Sequence, residues 1–366
     1  MNIKAAVLWE QGKPLVIEDA ELAPPGSGEV LVEVKAAGVC HSDLHAIRGD
    51  WPMKVPLVPG HEGAGFVREI GEGVTRVRAG DRVVLCWAPA CGTCPPCKDG
   101  TPLLCDRLEK TTYRNRLPWG GSRLSVRGTE VAPFLGTACF ATHTVVPEEG
   151  VVVVPESAPF NELAAVGCAV VTGVGAVTNA ARLRPDRTVA VIGAGGVGVN
   201  VIQGAVLARA AKIIAIDREA GPLEVARQLG ATDLVQPTGK TSDAVKELTG
   251  GRGADAVFDT VGTPATLTDA ILSTRKGGTI VITGLSRLDA QGAIRMYPFV
   301  MQEKRLIGSV YGSGHPLDDI ARLVDLGQTG RIKLGELATR TYSLEQINDA
   351  LGALGKGEGG RGVIFF

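Results

Sequence analysis

The chain has 366 residues, 45% of them hydrophobic and 21% charged, with a formal net charge of -1. Those proportions are ordinary for a globular protein and leave room for two domains with ample cores. With a sequence pI near 6.5, the chain has no field that would gather nucleic acid or an anionic membrane, so neither is expected as a partner.

Met1–Ile17 reads as an alternating strand broken by Glu10–Lys13, without the apolar stretch of a signal peptide. No run approaches about 20 uninterrupted apolar residues, so no membrane span is expected and the location read here is cytoplasmic. Short runs rich in Val and Ile follow at Ala5–Glu10, Glu29–Ala36, Gly63–Ile70 and Arg82–Cys86, bounded by turn signals such as Pro24-Pro25-Gly26 and Ala79-Gly80-Asp81. The first third is therefore β-rich. Within it, Gly60-His61-Glu62-Gly63 sets a histidine and a carboxylate between glycines, where backbone turns tightly and approaches other groups closely.

Of eight cysteines, Cys86, Cys91, Cys94, Cys97 and Cys105 crowd into one stretch. Without a secretory signal, reduced thiols and metal are expected in place of disulfides. Cys91-x2-Cys94-x2-Cys97-x7-Cys105 has the spacing of a closed, all-thiolate structural zinc site. The competing readings, a nucleic-acid-binding ribbon and a disulfide cluster, lack the basic charge and the secretory context they need. Glu109–Gly136 is polar and rich in arginine, and pattern alone assigns it no chemistry.

Near residue 160 the character changes. Asn161–Leu183 is rich in Ala and Val and reads as helix. From Arg187 the order becomes strand (Thr188–Ile192), glycine turn (Gly193–Gly198), helix (Val199–Ala211), strand (Lys212–Ile216). The alternation continues through Ala254–Phe258 and Gly278–Thr283, arguing for a parallel sheet. Lys304–Tyr311 reads as a further strand, Leu317–Leu326 as a helix, and Gly362–Phe366 as a C-terminal strand. Gly193-Ala194-Gly195-Gly196-Val197-Gly198 matches G-x-G-x-x-G between an apolar strand and an apolar helix, the setting in which backbone N–H groups receive a pyrophosphate. Asp217, ending the next strand, is placed to bind ribose hydroxyls and disfavour a 2′-phosphate. Arg218 beside it is able to accommodate one, so the preference for NAD over NADP is not absolute.

Taken in order, Cys40-x-Ser42-Asp43-x-His45, Gly60-His61-Glu62-x2-Gly65, the four-cysteine lobe, Cys168 and the dinucleotide fingerprint resemble the zinc-dependent medium-chain alcohol dehydrogenases over essentially the whole chain. The similarity is to the longer branch that includes the class I and class III enzymes. It implies an α/β fold: a Rossmann doubly wound parallel sheet (170–310) plus a β-rich GroES-like catalytic domain (1–169 and 311–366), with the active site in the cleft between them. It also implies two Zn2+ per chain, one catalytic and one structural, NAD as cofactor, and a homodimer, with a tetramer as the alternative.

The resemblance assigns the catalytic zinc to Cys40, His61 and Cys168, with Glu62 beside the metal and Asp43 fixing the ligand histidine. Zinc acts as a Lewis acid that lowers the alcohol's pKa and so readies hydride transfer to the nicotinamide. Ser42 takes the hydroxyl proton and His45 passes it on. His41 and Arg361 are assigned to the pyrophosphate, His41 being the weaker donor, and Thr172 to the nicotinamide. Trp51, Trp87, Phe134 and Leu135 fall where the family lines its substrate channel, which favours a primary alcohol or aldehyde with an apolar or aromatic tail. The alternative substrate is S-(hydroxymethyl)glutathione, as in class III. A zinc-binding structural or redox-sensing protein is the non-enzymatic alternative, against which the presence of Ser42 and His45 speaks.

Overall fold

A computed structural model of the chain describes residues 1–357 and 361–366. It divides into two compact units, the first formed by Met1–Cys168, His315–Lys356 and Arg361–Phe366, the second by Ala169–Gly314 with Gly357.

The first unit is built on two sheets. In one, Asn2–Val7, Val16–Leu22, Leu124–Val126, Thr129–Pro133 and Leu57–Val58 are neighbours in that order. In the other, the order is Val151–Val153, Arg82–Leu85, Glu62–Ile70, Glu29–Gly38, Arg361–Phe365 and Ala338–Ser343. Their facing side chains, among them Leu8, Leu22, Val32, Leu57, Phe134 and Phe140, form one continuous core. The strands follow the sequence expectation with small shifts: the first begins at Asn2 and ends at Val7, short of Glu10, and the last ends at Phe365.

In the second sheet Gly38 pairs with Glu62 on one side and with Val363 on the other, antiparallel to both. Just past those pairs, the same registers set Gly60 and His61 on one flank of Cys40, and Arg361 on the other. Residues from three far-apart stretches are thus juxtaposed by strand register.

In the second unit, β1 (Thr188–Ile192), β2 (Lys212–Ile216), β3 (Asp233–Val235), β4 (Ala254–Asp259), β5 (Thr274–Ile282) and β6 (Arg305–Gly308) form a parallel sheet. Among the described residues its order is β3-β2-β1-β4-β5-β6. The order reverses between β1 and β4, which opens the crevice where doubly wound sheets take dinucleotides. The inner strands β1, β2 and β4, with the end of β5, carry apolar side chains into a core on each face, as helix-covered parallel strands do. The helix after the glycine turn spans Gly196–Leu207 and so begins three residues before the expected Val199. Glycine's weak helix propensity hides a first turn that backbone packing fixes.

One helix bears on the expectation that no segment spans a membrane. Phe160–Ala180 is helical throughout, with a mean hydropathy of 1.7, and by length and composition alone it is long and apolar enough to cross a membrane. However, 83% of its most apolar window is buried inside the fold, the burial of a core helix. Sparse glycines and threonines break the apolar run in sequence without exposing it.

Candidate active site and dinucleotide turn

Cys40, His61, Glu62 and Cys168 offer ligand atoms that all lie within 4.8 Å of one another, and all four side chains are buried. Each arrives by a different local device. Cys40 precedes the helix His41–Arg48, whose first turn carries Asp43. Asp43 is fully buried and accepts three hydrogen bonds: from Cys40 N at 3.0 Å, Gly60 N at 3.0 Å and His61 Nδ1 at 3.1 Å. One carboxylate therefore locks two ligand-bearing segments and, by engaging Nδ1, leaves Nε2 as the imidazole nitrogen for a metal.

Cys168 sits in a π-helical stretch, Val166–Val170, the kind of helical irregularity often found at functional sites. A Cβ at Gly167 would overlap the Leu85 carbonyl, so glycine there lets this stretch lie directly on the strand Arg82–Leu85. Glu62 is paired with Arg361, whose Nε donates to Oε2 at 2.8 Å and whose Nη2 also donates to the carboxylate. The missing side chain of Gly38 makes room for that carboxylate.

The electrostatics suit a cation. The Cys168 thiol donates to Cys40, and this bond, with the His61 and Arg361 charges, holds the Cys40 thiol well below its usual range despite burial. The same bond, with burial, pushes Cys168 up. Burial lifts Glu62 to about 7 even against Arg361. Two thiols and an oriented imidazole, with a carboxylate alongside, fit the donor set of a catalytic zinc.

The second cluster, Cys91, Cys94, Cys97 and Cys105, also has its sulfurs within 4.8 Å. Thr93 Oγ1, Thr93 N and Cys94 N donate to Cys91 Sγ, drawing its pKa down to about 5, while burial and Cys94 push Cys97 up to about 12. A loop already donating N–H groups to sulfur is prepared for thiolates held by a metal.

In the second unit, Gly193 has φ +89°, a left-handed conformation suited to glycine, and a Cβ there would meet Thr260 Oγ1 at 2.7 Å. A Cβ at Gly198 would overlap the Gly193 carbonyl, whereas one at Gly195 would meet nothing within 4 Å. The turn thus closes tightly at its ends and stays open in the middle, at the helix N-terminus begun by Gly196 and Val197. Asp217 faces it, accepting from Ala194 N at 2.7 Å and Glu219 N at 3.0 Å, with Arg218 exposed beside it.

The family profile described as "Alcohol dehydrogenase GroES-like domain" matches residues 26–156, and that described as "Zinc-binding dehydrogenase" matches residues 196–328. The NDMA-dependent alcohol dehydrogenase of Amycolatopsis methanolica is 41% identical over 100% of this chain and 99% of its own length. The class-3 alcohol dehydrogenase of Drosophila melanogaster is 38% identical over 100% and 97%. The chain belongs to the zinc-dependent medium-chain alcohol dehydrogenase family. The crystal structure of benzyl alcohol dehydrogenase from Acinetobacter calcoaceticus matches this dehydrogenase with a TM-score of 0.94 at 31% identity, covering 100% of this chain and 99% of that one.

The remaining candidates of this dehydrogenase fall as follows. Ser42 is half-buried on the helix that begins after Cys40. His45, one turn on, meets Asp50 through Nδ1 at 2.9 Å and stacks on Trp51 with ring centroids 4.9 Å apart. Trp51 and Leu135 are partly buried against the core, and Trp87 is buried with Tyr113 beside it at 6.4 Å. Phe134, expected along the substrate channel, is fully buried, its ring edge-on to His61 at 5.7 Å. It backs the imidazole. Arg361, expected at the pyrophosphate, has its guanidinium on Glu62, brought there by strand register. His41 is exposed, and Thr172 is buried four residues past Cys168. Two polar side chains that sequence reasoning missed, Gln11 and Asn115, brace the loops around these residues. The signal nearest to finding them was the unassigned Arg-rich segment that contains Asn115.

Proposed function

We propose that this enzyme interconverts primary alcohols bearing apolar or aromatic tails and their aldehydes, with NAD(H) as hydride carrier and two zinc ions per chain. The convergence of Cys40, His61 and Cys168 around an imidazole oriented by Asp43 carries the reading. Zinc held there supplies a Lewis acid that lowers the pKa of the alcohol hydroxyl. Ser42 receives the hydroxyl proton, and His45, one helical turn further, passes it toward Asp50. The Gly193–Gly198 turn and Asp217 bind the pyrophosphate and the adenosine ribose, with Arg218 exposed beside them. Trp51 and Leu135 offer apolar surface to the alcohol's tail.

The assay that tests this compares benzyl alcohol, hexanol and ethanol with NAD and with NADP. The expected result is turnover with NAD, kcat/KM highest for the two larger alcohols. The second reading, an S-(hydroxymethyl)glutathione dehydrogenase, draws on the class-3 relative and on exposed Arg114 and Arg116, which offer charge to glutathione carboxylates. Preference for formaldehyde with glutathione over all three alcohols would favour it.

The four-cysteine lobe is assigned the structural zinc. Cys97→Ala is expected to lower bound zinc from two ions to one and to reduce the thermal midpoint by several degrees, because metal binding free energy is folding free energy for such a loop. Zinc analysis by mass spectrometry and a melting curve check it. We also assign the dimer contact to the second unit, where β6 is an edge strand and Met296, Tyr297, Val300 and Met301 are exposed.

A further inference from the structure

Gln11 and Asn115 both bond to Met53, one at its backbone N–H and the other at its sulfur. Gln11 Nε2 donates to Ala46 O at 2.6 Å and to Trp51 O at 2.9 Å, while its Oε1 accepts from Met53 N at 3.2 Å. Gly12 N adds a bond to Ile47 O at 2.6 Å. One amide therefore ties the last turn of the helix that carries Ser42 and His45 to the Trp51–Met53 loop. Asn115 is buried and left-handed, with φ +55°. Its Oδ1 accepts from Leu135 N at 3.0 Å and its Nδ2 donates to Met53 Sδ at 3.5 Å.

The orientation of both amides is forced. The Met53 and Leu135 backbone N–H groups can only donate, so each must face an amide oxygen, which turns each NH2 to the remaining acceptors.

What the two amides hold is close to the reacting groups. Trp51 stacks on His45. Leu135 follows Phe134, whose ring meets His61, and Thr137 Oγ1 ties the same turn to Gly60 O at 3.1 Å. Leu135 itself has φ +49°, a left-handed conformation that a side chain disfavours and that persists only where something holds it. Asn115 is that hold. Trp51, Met53 and Leu135 are each packed against the core and only partly buried, leaving the rest of their apolar surface available.

We propose that Gln11 and Asn115 are positioning residues that set the spacing of Trp51, Met53 and Leu135 and thereby select the alcohol's tail. The inference rests on the alcohol dehydrogenase reading given above and adds to it the residues that decide tail selectivity. In this proposal a benzyl or hexyl tail lies against Trp51, Met53 and Leu135, while a short alcohol is too small to use them.

The test uses the zinc-loaded enzyme with NAD, comparing ethanol, hexanol and benzyl alcohol in wild type, Asn115→Ala, Asn115→Asp and Gln11→Ala. Asn115→Ala is expected to raise KM for hexanol and benzyl alcohol about tenfold, with kcat held, while kcat/KM for ethanol changes by less than about twofold. Asn115→Asp keeps an acceptor for Leu135 N–H but loses the donor to Met53 Sδ, and restores part of the wild-type KM. Gln11→Ala shifts the same two alcohols in the same direction. Amide hydrogen exchange reports the brace without reference to turnover: Leu135 N–H should exchange faster in Asn115→Ala, and Met53 N–H in Gln11→Ala.

Equal losses on all three alcohols, no loss on any, or unchanged exchange at both amides would overturn the proposal while leaving the dehydrogenase reading intact. Wild type inactive on every alcohol, with both amides protected, would overturn the dehydrogenase reading and the tail selectivity that rests on it.

Discussion

Cys40→Ala is expected to lower bound zinc from two ions to one and to suppress NAD-linked alcohol oxidation by more than about 10³-fold. Loss of a single hydrogen-bond donor at a developing oxyanion costs about 10²–10³-fold, and loss of a metal that bears the same charge should cost more. The site has no spare thiol to substitute: the ligand atoms within 4.8 Å are those of Cys40, His61, Glu62 and Cys168 among the described residues. Glu62 is already engaged by Arg361. Cys139→Ala serves as the control, because that thiol is fully buried and belongs to neither cluster. It is expected to keep both ions. Unchanged zinc content and rate in Cys40→Ala would remove Cys40 from the ligand set and the proposed chemistry with it.

The second large effect concerns stability. Arg361→Ala leaves the Glu62 carboxylate at 0% exposure without its cationic partner. Removing one member of a buried ion pair costs about 3–5 kcal/mol where the other stays charged. Glu62, already at about 7 beside Arg361, sheds its charge by protonation at lower pH, so the loss should approach that size only well above pH 7. The loss should appear as a lower denaturant midpoint with an unchanged denaturant slope. A second substitution identifies the cause. Glu62→Gln in the Arg361→Ala background removes the stranded charge and should recover part of the loss. If the double variant is as unstable as Arg361→Ala alone, the pair's electrostatics are not what holds the strands Glu29–Gly38 and Arg361–Phe365 in place.

Arg361 also shows where reading the sequence stops. Its assignment to a pyrophosphate came from resemblance, and its position opposite Cys40 depends on the pairing of Val363 with Gly38. Nothing local to residues 358–366 encodes that partner. The helix start at Gly196 differs from the expected Val199 for a related reason: helix propensity is local, but here tertiary packing, with Gly173 against the Val197 carbonyl, decides. The Phe160–Ala180 stretch shows the same limit, since its burial follows from what surrounds it.

By itself the sequence determined the features whose chemistry is compressed into a few consecutive residues. These are the four-cysteine loop, the glycine turn between an apolar strand and an apolar helix with Asp217 after the next strand, and the Gly60–Gly63 turn with its histidine and carboxylate. Short-range spacing suffices there because the groups must meet whatever the rest of the chain does. Only the tertiary structure decided that Cys168 reaches Cys40, that Asp43 bonds both ligand segments at once, and that Gln11 and Asn115 suspend Met53. Those contacts join residues far apart in the chain. Strand register and single side-chain amides make them, and neither leaves a periodic trace in the order of amino acids.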